Sequence, residues 1–183
     1  MYNMPQKVVK ILLITLAIIM VTGLILSFKD NFLVAVLGKC PKDKSLPFEN
    51  LMNSRTVKNF SLENDKNIEI TLIISTSSPD HALGLSNIPC IPPQKGMIFE
   101  FAQPDYYGFW MKDTLVNLDI AWLDESYNVV FLLSDVATST YPNVLKPEPP
   151  YKPATYVVEM KAGEMERLSI KAGTKLTPLA PQD

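Results

Sequence analysis

The hydrophobic and polar positions of this 183-residue chain follow two different patterns. The 18 residues from Ile11 to Phe28 carry no charge and are almost all apolar. A helix of that length rises about 27 Å, close to the hydrocarbon thickness of a bilayer. From residue 55 onward, short runs of alternating apolar and polar residues are separated by turn-forming clusters, which is typical of β-strands. The pattern predicts one transmembrane helix followed by a β-rich domain.

The β-rich part divides into short segments joined by turns. Residues 57–62 and 68–74 flank a polar turn and predict one hairpin, and residues 120–123 and 129–133 predict a second. The run 141–153 contains five prolines, so it is expected to be a surface loop rather than a central strand. About seven strands and two short helices, one starting near Ser78 and one over residues 162–168, predict a mainly β, antiparallel β-sandwich or barrel.

The chain is therefore expected to contain five consecutive regions. Proline and charged residues in the third region, directly before the β pattern, indicate a linker rather than a packed element. The regions are an N-terminal cytoplasmic tail (1–10), a transmembrane anchor (11–28), a linker (29–54), a β-sandwich domain (55–177) and a C-terminal tail (178–183).

The apolar N-terminal segment leaves two alternatives to an uncleaved anchor. The first alternative is a cleaved signal peptide. No good small-x-small cleavage site follows the segment, since Ala35, the nearest candidate, has Leu33 two places before it. A lipid-modified Cys40 would have Lys39 where a small residue is needed. The N-terminal lysines favour a cytoplasmic N-terminus. We expect a single-pass cell-membrane protein with its domain on the extracytoplasmic side.

Charge and cysteine content narrow the function classes. Residues 1–45 carry six lysines and two aspartates, whereas the remainder carries 11 basic and 17 acidic residues. An acidic domain without a basic patch disfavours nucleic acid as a partner, because phosphate neutralisation dominates that affinity. Cys40 and Cys90 could pair in an oxidising compartment, or could be one linker thiol and one half-buried thiol.

The candidate site lies in the stretch 109–124. It combines large flat apolar side chains with charged ones in a segment expected to be mostly extended, as a strand lining a recessed site would. A metal site is not expected, because the chain has one histidine and neither cysteine is near it in sequence. No cofactor and no catalytic residue is assigned. The candidate ligand-binding residues are Trp110, Lys112, Asp113, Asp119 and Met97.

Three functions fit these residues. The first is a non-enzymatic module of the cell envelope that binds a small ligand or an envelope partner through aromatic faces and polar groups. The second is an envelope hydrolase acting on glycan with Asp113 and Asp119 as a carboxylate pair, which requires the chain to fold back near residue 117. The third is a purely structural role, in which Lys112 pairs with an acid and the tryptophans belong to the core.

Several motifs resemble the domain of unknown function (DUF) 192 family. Asp80–Leu85, Gly96–Phe101, Phe109–Thr114, Leu118–Ile120 and Tyr156–Glu159 occur in the order and spacing of that family, over roughly residues 66–177. The resemblance implies a compact, mostly antiparallel β-sandwich with a jelly-roll appearance, commonly preceded by a signal or anchor segment. It implies no reaction, because the family has no established activity.

Overall fold

The computed structural model describes residues 40–63 and 65–180. The expected cytoplasmic tail and anchor, and the first part of the expected linker, lie outside these residues. The folded domain described below lies within the unit Lys42–Asp183. Among the described residues, no helix is both long enough and apolar enough to cross a membrane.

The domain is mainly β, as the sequence predicts. Its strands and helices alternate irregularly along the chain, and a short 3-10 turn follows the fifth strand. In chain order the elements are α1 (Lys42–Ser54), β1 (Val57–Leu62), β2 (Asp65–Ser75), α2 (Ser78–Leu83), β3 (Lys95–Asp105), β4 (Leu118–Leu123), β5 (Val129–Val136), the 3-10 turn (Thr138–Thr140), β6 (Ala154–Lys161), α3 (Glu164–Arg167) and β7 (Leu176–Pro178).

The seven strands form one curled sheet in the order β5-β4-β6-β3-β2-β1-β7. The expected antiparallel β-sandwich or barrel is confirmed only as a mainly β fold, because the strands form a single curled sheet rather than a sandwich. Strand β6 pairs with both β3 and β4 and thereby joins all strands into one ladder. The pair β2–β3 is parallel, because the connection through α2 crosses over and returns to the same end of the sheet.

Both predicted hairpins are confirmed. Strands β1 and β2 pair antiparallel, and so do β4 and β5. The turn of the second hairpin is held by Asp124, whose carboxylate accepts hydrogen bonds from the backbone N–H groups of Ser126 and Asn128, both at 2.9 Å. An aspartate that bonds the backbone two residues ahead is a common way to close a turn.

The expected linker contains a helix. Residues 42–54 form α1, so the described residues contain three α-helices rather than the two expected. Phe48 of α1 is completely buried and belongs to a hydrophobic cluster of the domain. The prolines and charged residues of this stretch are typical of a linker. Burial of the Phe48 side chain nevertheless stabilises the packing of the helix on the domain by about 2 kcal/mol.

The sheet buries side chains on both faces. One face carries a cluster that includes Met97, Phe99 and Trp122. The opposite face carries a second cluster, which includes Ile98 and Met160. Because neighbouring residues of a strand point to opposite faces, Met97 and Ile98 fall into different clusters. We refer to the two faces as the Trp122 face and the Met160 face.

Both cysteines are disulfide-bonded, so neither thiol is free. The alternative that Cys40 and Cys90 are unpaired thiols is therefore wrong. Disulfides form and persist in oxidising compartments.

Candidate functional site

A cavity of about 300 Å³ opens on the Trp122 face of the sheet. Strands β3 and β6, helix α2 with the residues after it, and the loop between β3 and β4 all contribute to its walls. Most lining side chains are aromatic or aliphatic. The lining residues are His81, Ala82, Leu83, Gly84, Leu85, Ser86, Phe99, Phe101, Tyr107, Gly108, Phe109, Trp110, Lys112, Thr114, Val144 and Glu159.

Aromatic rings form one wall of the cavity and pack tightly against one another. Phe101 stacks on Tyr107 with ring centroids 3.5 Å apart, and Phe99 meets the edge of Phe109 at 4.8 Å. Phe109 also contacts the ring of Trp122, which lies beneath it in β4, edge to face at 5.9 Å. Each ring is held by at least one other, so this wall is largely preformed before any ligand binds.

The loop that carries Tyr107 and Phe109 is fixed to the sheet. The indole N–H of Trp122 donates a hydrogen bond to the carbonyl of Tyr107 at 2.8 Å. Phe109 exchanges two backbone hydrogen bonds with Leu145, of 2.8 and 2.7 Å. Beyond Phe109, residues 110–117 form turns and irregular backbone rather than the extended strand that the sequence analysis expected. Within residues 110–117, Asp113 alone has a positive φ, of 54°.

Glu159 supplies the only carboxylate among the lining residues. It lies in β6 opposite Met97 of β3 and Ile120 of β4, so its side chain belongs to the Trp122 face. The residue is only 4% exposed, and none of the described residues forms a hydrogen bond or an ion pair with its carboxyl group. Burial raises the pKa of Glu159 to about 8, because the charged form loses its hydration.

Helix α2 brings His81 to the cavity. The helix is capped by Ser77, whose side chain accepts a hydrogen bond from the backbone N–H of Asp80. A hydrogen bond from the Ser77 hydroxyl, together with the Arg55 guanidinium, holds the pKa of Asp80 below its usual range. The helix begins at Ser78, as the sequence predicts.

The ring of His81 is oriented by two contacts. Nε2 lies 3.0 Å from the carbonyl of Ser75, and the ring packs on Phe101 with centroids 4.5 Å apart. A carbonyl only accepts hydrogen bonds, so Nε2 carries the proton of this bond. In the neutral ring the other nitrogen, Nδ1, is then a hydrogen-bond acceptor.

Two of the five candidate residues line the cavity. Trp110 is 46% exposed and Lys112 is exposed, so both lie at its mouth, together with the exposed side chains of Leu83 and Val144. The carbonyl of Lys112 accepts a hydrogen bond from the Ser86 hydroxyl at 2.9 Å, which ties this loop to the end of α2.

The other three candidates lie elsewhere. Met97 is buried on the Trp122 face but does not line the cavity, and Asp113 is exposed outside it. Asp119 is fully buried in β4, and its sheet partner is Met160 of the opposite cluster. The structure therefore brings together an indole and an ammonium, but not the two aspartates that were expected beside them.

The carboxylate of Asp119 is occupied by backbone donors. Its two oxygens accept hydrogen bonds from the N–H groups of Asp135 and Met165, both at 2.9 Å. These bonds connect β4 to the end of β5 and to the start of α3. No ion pair joins Asp119 to Lys112 within the described part of the chain, although the sequence analysis considered such a pair.

Sequence reasoning missed the most unusual residue of the cavity. Glu159 follows two valines, precedes a methionine and ends the Tyr156–Glu159 motif, but one acid within an apolar strand does not by itself indicate a cavity. The single histidine, His81, was considered only in the argument against a metal site. In the described ranges, no group of three or more His, Cys, Asp or Glu side chains is arranged to hold a metal ion.

The family assignment agrees with this architecture. The DUF192 family model, described as "Uncharacterized ACR", matches residues 60–178. The chain therefore belongs to the DUF192 family, as the sequence motifs suggested. No curated protein matches the sequence.

Two solved structures share the fold. A protein from Sinorhizobium meliloti, named as a candidate transcription regulator, has a TM-score of 0.61 at 19% identity, and the match covers 68% of this chain and 95% of that one. A protein of unknown function from Novosphingobium aromaticivorans has a TM-score of 0.54 at 24% identity, covering 66% of this chain and 83% of that one. At these identities the likeness establishes the fold alone.

Proposed function

We propose that this protein is a non-enzymatic binding module whose cavity takes a small ligand. The observation that supports the proposal best is the buried Glu159 carboxyl group, without a partner, in an otherwise aromatic cavity. An unpaired acid in a core position lowers stability, whereas a valine or isoleucine there would not. A concave apolar site with one strongly perturbed titratable group is the usual form of a ligand-binding site.

The mouth of the cavity adds a second argument. Leu83, Trp110 and Val144 are each about half exposed and surround the opening. A ligand seated in the cavity would cover these apolar side chains as well as the deeper rings. The volume of about 300 Å³ lies at the small end of the range for small-molecule sites, which favours a compact ligand.

We further propose that the domain lies on the extracytoplasmic side of the cell membrane, held by segment 11–28. The disulfide-bonded cysteines support this placement, because cytosolic thiols are normally kept reduced. A phosphatase reporter fused after residue 183 and expressed in a bacterial host tests it. An active reporter in the membrane fraction is the expected result, and an inactive reporter would contradict the placement.

The hydrolase alternative gains no support from the positions of its two acids. Both oxygens of Asp119 are bonded to backbone donors on the Met160 face, whereas the cavity opens on the other face. A general acid or nucleophile must reach the substrate in the site.

An NMR fragment screen on the full chain tests the binding function. A methyl group on Gly84 would lie 3.4 Å from the Phe99 ring and 3.7 Å from Glu159 Oε2. We expect Gly84→Ala to weaken or abolish fragment binding. Gly173→Ala is the matched control, because Gly173 also has a positive φ but a methyl there meets nothing within 4 Å. Equal fragment binding by both variants, or no binding fragment at all, would refute a ligand site in this cavity.

A further inference from the structure

The cavity of the proposed binding module is chemically asymmetric. Its floor holds the buried Glu159 carboxyl group, and its mouth holds the exposed ammonium of Lys112. Most of the other lining side chains are aromatic or aliphatic, and none carries a negative charge. This order of groups restricts the charge of a ligand that enters.

We infer that the deep end of the ligand is an ammonium group attached to a flat apolar body, with the ammonium held by the Glu159 carboxylate. The inference rests on the proposed binding function and names the chemical class of ligand for the same cavity. A buried carboxylate attracts a cation more strongly than an exposed one, because the protein interior screens charge less than water does. The body of the ligand would occupy the aromatic and aliphatic remainder of the cavity.

Other ligand charges fit the cavity less well. An anionic group placed deep would meet the Glu159 carboxyl group, and the only lysine or arginine among the lining residues is Lys112 at the mouth. A neutral acceptor could bond a protonated Glu159 but would form no ion pair, and a hydrogen bond between uncharged groups is weaker than a charge-assisted one. Only a cation pairs with the charged form of this group.

The remaining titratable groups around the cavity are compatible with an ammonium. Tyr107 stays neutral, because burial raises the pKa of its hydroxyl above 10.0. His81 donates through Nε2 to Ser75, so its neutral ring offers Nδ1 as a further acceptor. Lys112 is exposed and therefore partly screened by solvent.

Binding of an ammonium should be coupled to a proton. Burial raises the pKa of Glu159 to about 8, so most of the empty sites are protonated at neutral pH. The carboxyl group must lose its proton to pair with the cation, and that proton passes to the solvent. Affinity for the cation should accordingly rise with pH through the pKa of Glu159.

Benzylamine and benzyl alcohol separate the charge from the shape. Both are titrated into the full chain and followed by NMR, with carbon-labelled glutamate carboxyl groups reporting ionisation. We expect benzylamine to bind at least about tenfold more tightly than benzyl alcohol at neutral pH. The Glu159 carboxyl signal should shift to the ionised position with benzylamine only, and benzylamine affinity should rise as the pH is raised.

Glu159→Gln keeps the shape of the side chain and removes its charge. The variant should lose the preference for benzylamine and retain the weaker binding of benzyl alcohol. Glu166→Gln is the matched control, because Glu166 is exposed and does not line the cavity. If Glu159→Gln does not fold, the pH dependence of benzylamine binding to the wild-type protein decides.

The outcomes distinguish this inference from the proposed function. If benzyl alcohol binds in the cavity as tightly as benzylamine, or if Glu159 stays protonated in the benzylamine complex, the ammonium inference is overturned and the binding function stands. If benzylamine does not bind, the inference is also overturned. The fragment screen with the Gly84→Ala and Gly173→Ala variants then decides the binding function separately.

Discussion

Gly96 of β3 lies directly against the backbone carbonyl of Glu159 in β6. A Cβ atom at position 96 would overlap that oxygen and would also touch the Met160 side chain. Because a backbone atom cannot move away alone, a side chain at 96 must push β3 and β6 apart. The position of the buried acid in the cavity therefore depends on a glycine in the neighbouring strand.

We expect Gly96→Ala to destabilise the domain by about 2 kcal/mol, as forced backbone shifts commonly do. Gly108→Ala is the comparison variant: a methyl there would come within 2.5 Å of Val144 Cγ1, a side-chain atom of an exposed residue, rather than of a backbone atom, so we expect a smaller loss. Urea denaturation of the two variants gives the comparison. Equal stability of the Gly96 variant and the wild-type protein would show that the strands tolerate the separation.

The pKa of Glu159 makes stability depend on pH. In the unfolded chain this carboxyl titrates near its ordinary value of 4.5, and in the folded protein burial raises its pKa to about 8. The folded state thus holds a proton that the unfolded state has lost between these values. The stability that this proton provides is complete below about pH 4.5 and is lost as the pH rises to about 8.

The expected loss over that interval is at most about 5 kcal/mol for this one group. Glu159→Gln should therefore be more stable than the wild-type protein at pH values near 8, and the difference should shrink as the pH is lowered. Glu166→Gln should follow the wild-type curve. Free energies of unfolding from urea titrations at several pH values measure the effect, and parallel curves for the wild-type protein and Glu159→Gln would rule out the raised pKa.

The sequence predicted local elements better than their assembly. The β4–β5 hairpin follows from two apolar runs separated by turn residues, including Asp124 and Asn128. The pairing of β2 with β3 could not be predicted, because strand periodicity reports which face is buried and not which strands are neighbours. The expected antiparallel β-sandwich or barrel therefore missed the single curled sheet with its one parallel pair.

Two of the candidate site residues lie at the cavity. Trp110 and Lys112 were singled out because a large aromatic next to a cation is unusual in a core strand, and both line the cavity. Glu159 and Asp119 were not separable from sequence, since each is one acid among apolar strand residues. Only the register of β4, β6 and β3 shows that Asp119 faces the opposite cluster. There its two oxygens accept hydrogen bonds from backbone donors.

Asp119 is expected to matter for folding and not for ligand binding. Asp119→Ala leaves the backbone N–H groups of Asp135 and Met165 without their acceptor, and each unsatisfied buried donor costs about 1–3 kcal/mol. We expect a loss of about 2–5 kcal/mol in the free energy of unfolding. Asp119→Asn keeps one acceptor oxygen and should lose less.

Benzylamine titration of the folded fraction completes this test. Folded Asp119→Asn should bind the probe as the wild-type protein does, because the side chain lies on the Met160 face. If folded Asp119→Asn instead has wild-type stability and does not bind benzylamine, Asp119 contributes to the ligand site.

The two tryptophans should respond in opposite ways to replacement by alanine. Trp122 is fully buried and donates a hydrogen bond to the Tyr107 carbonyl, so Trp122→Ala should cost about 3–5 kcal/mol of stability. Trp110 is 46% exposed at the cavity mouth, so Trp110→Ala should change stability by less than about 1 kcal/mol. Benzylamine should bind Trp110→Ala several-fold more weakly, since an aromatic face is lost. Urea denaturation and NMR titration measure the two effects on the same samples. If Trp110→Ala is instead strongly destabilised and binds the probe normally, Trp110 belongs to the core and not to the site.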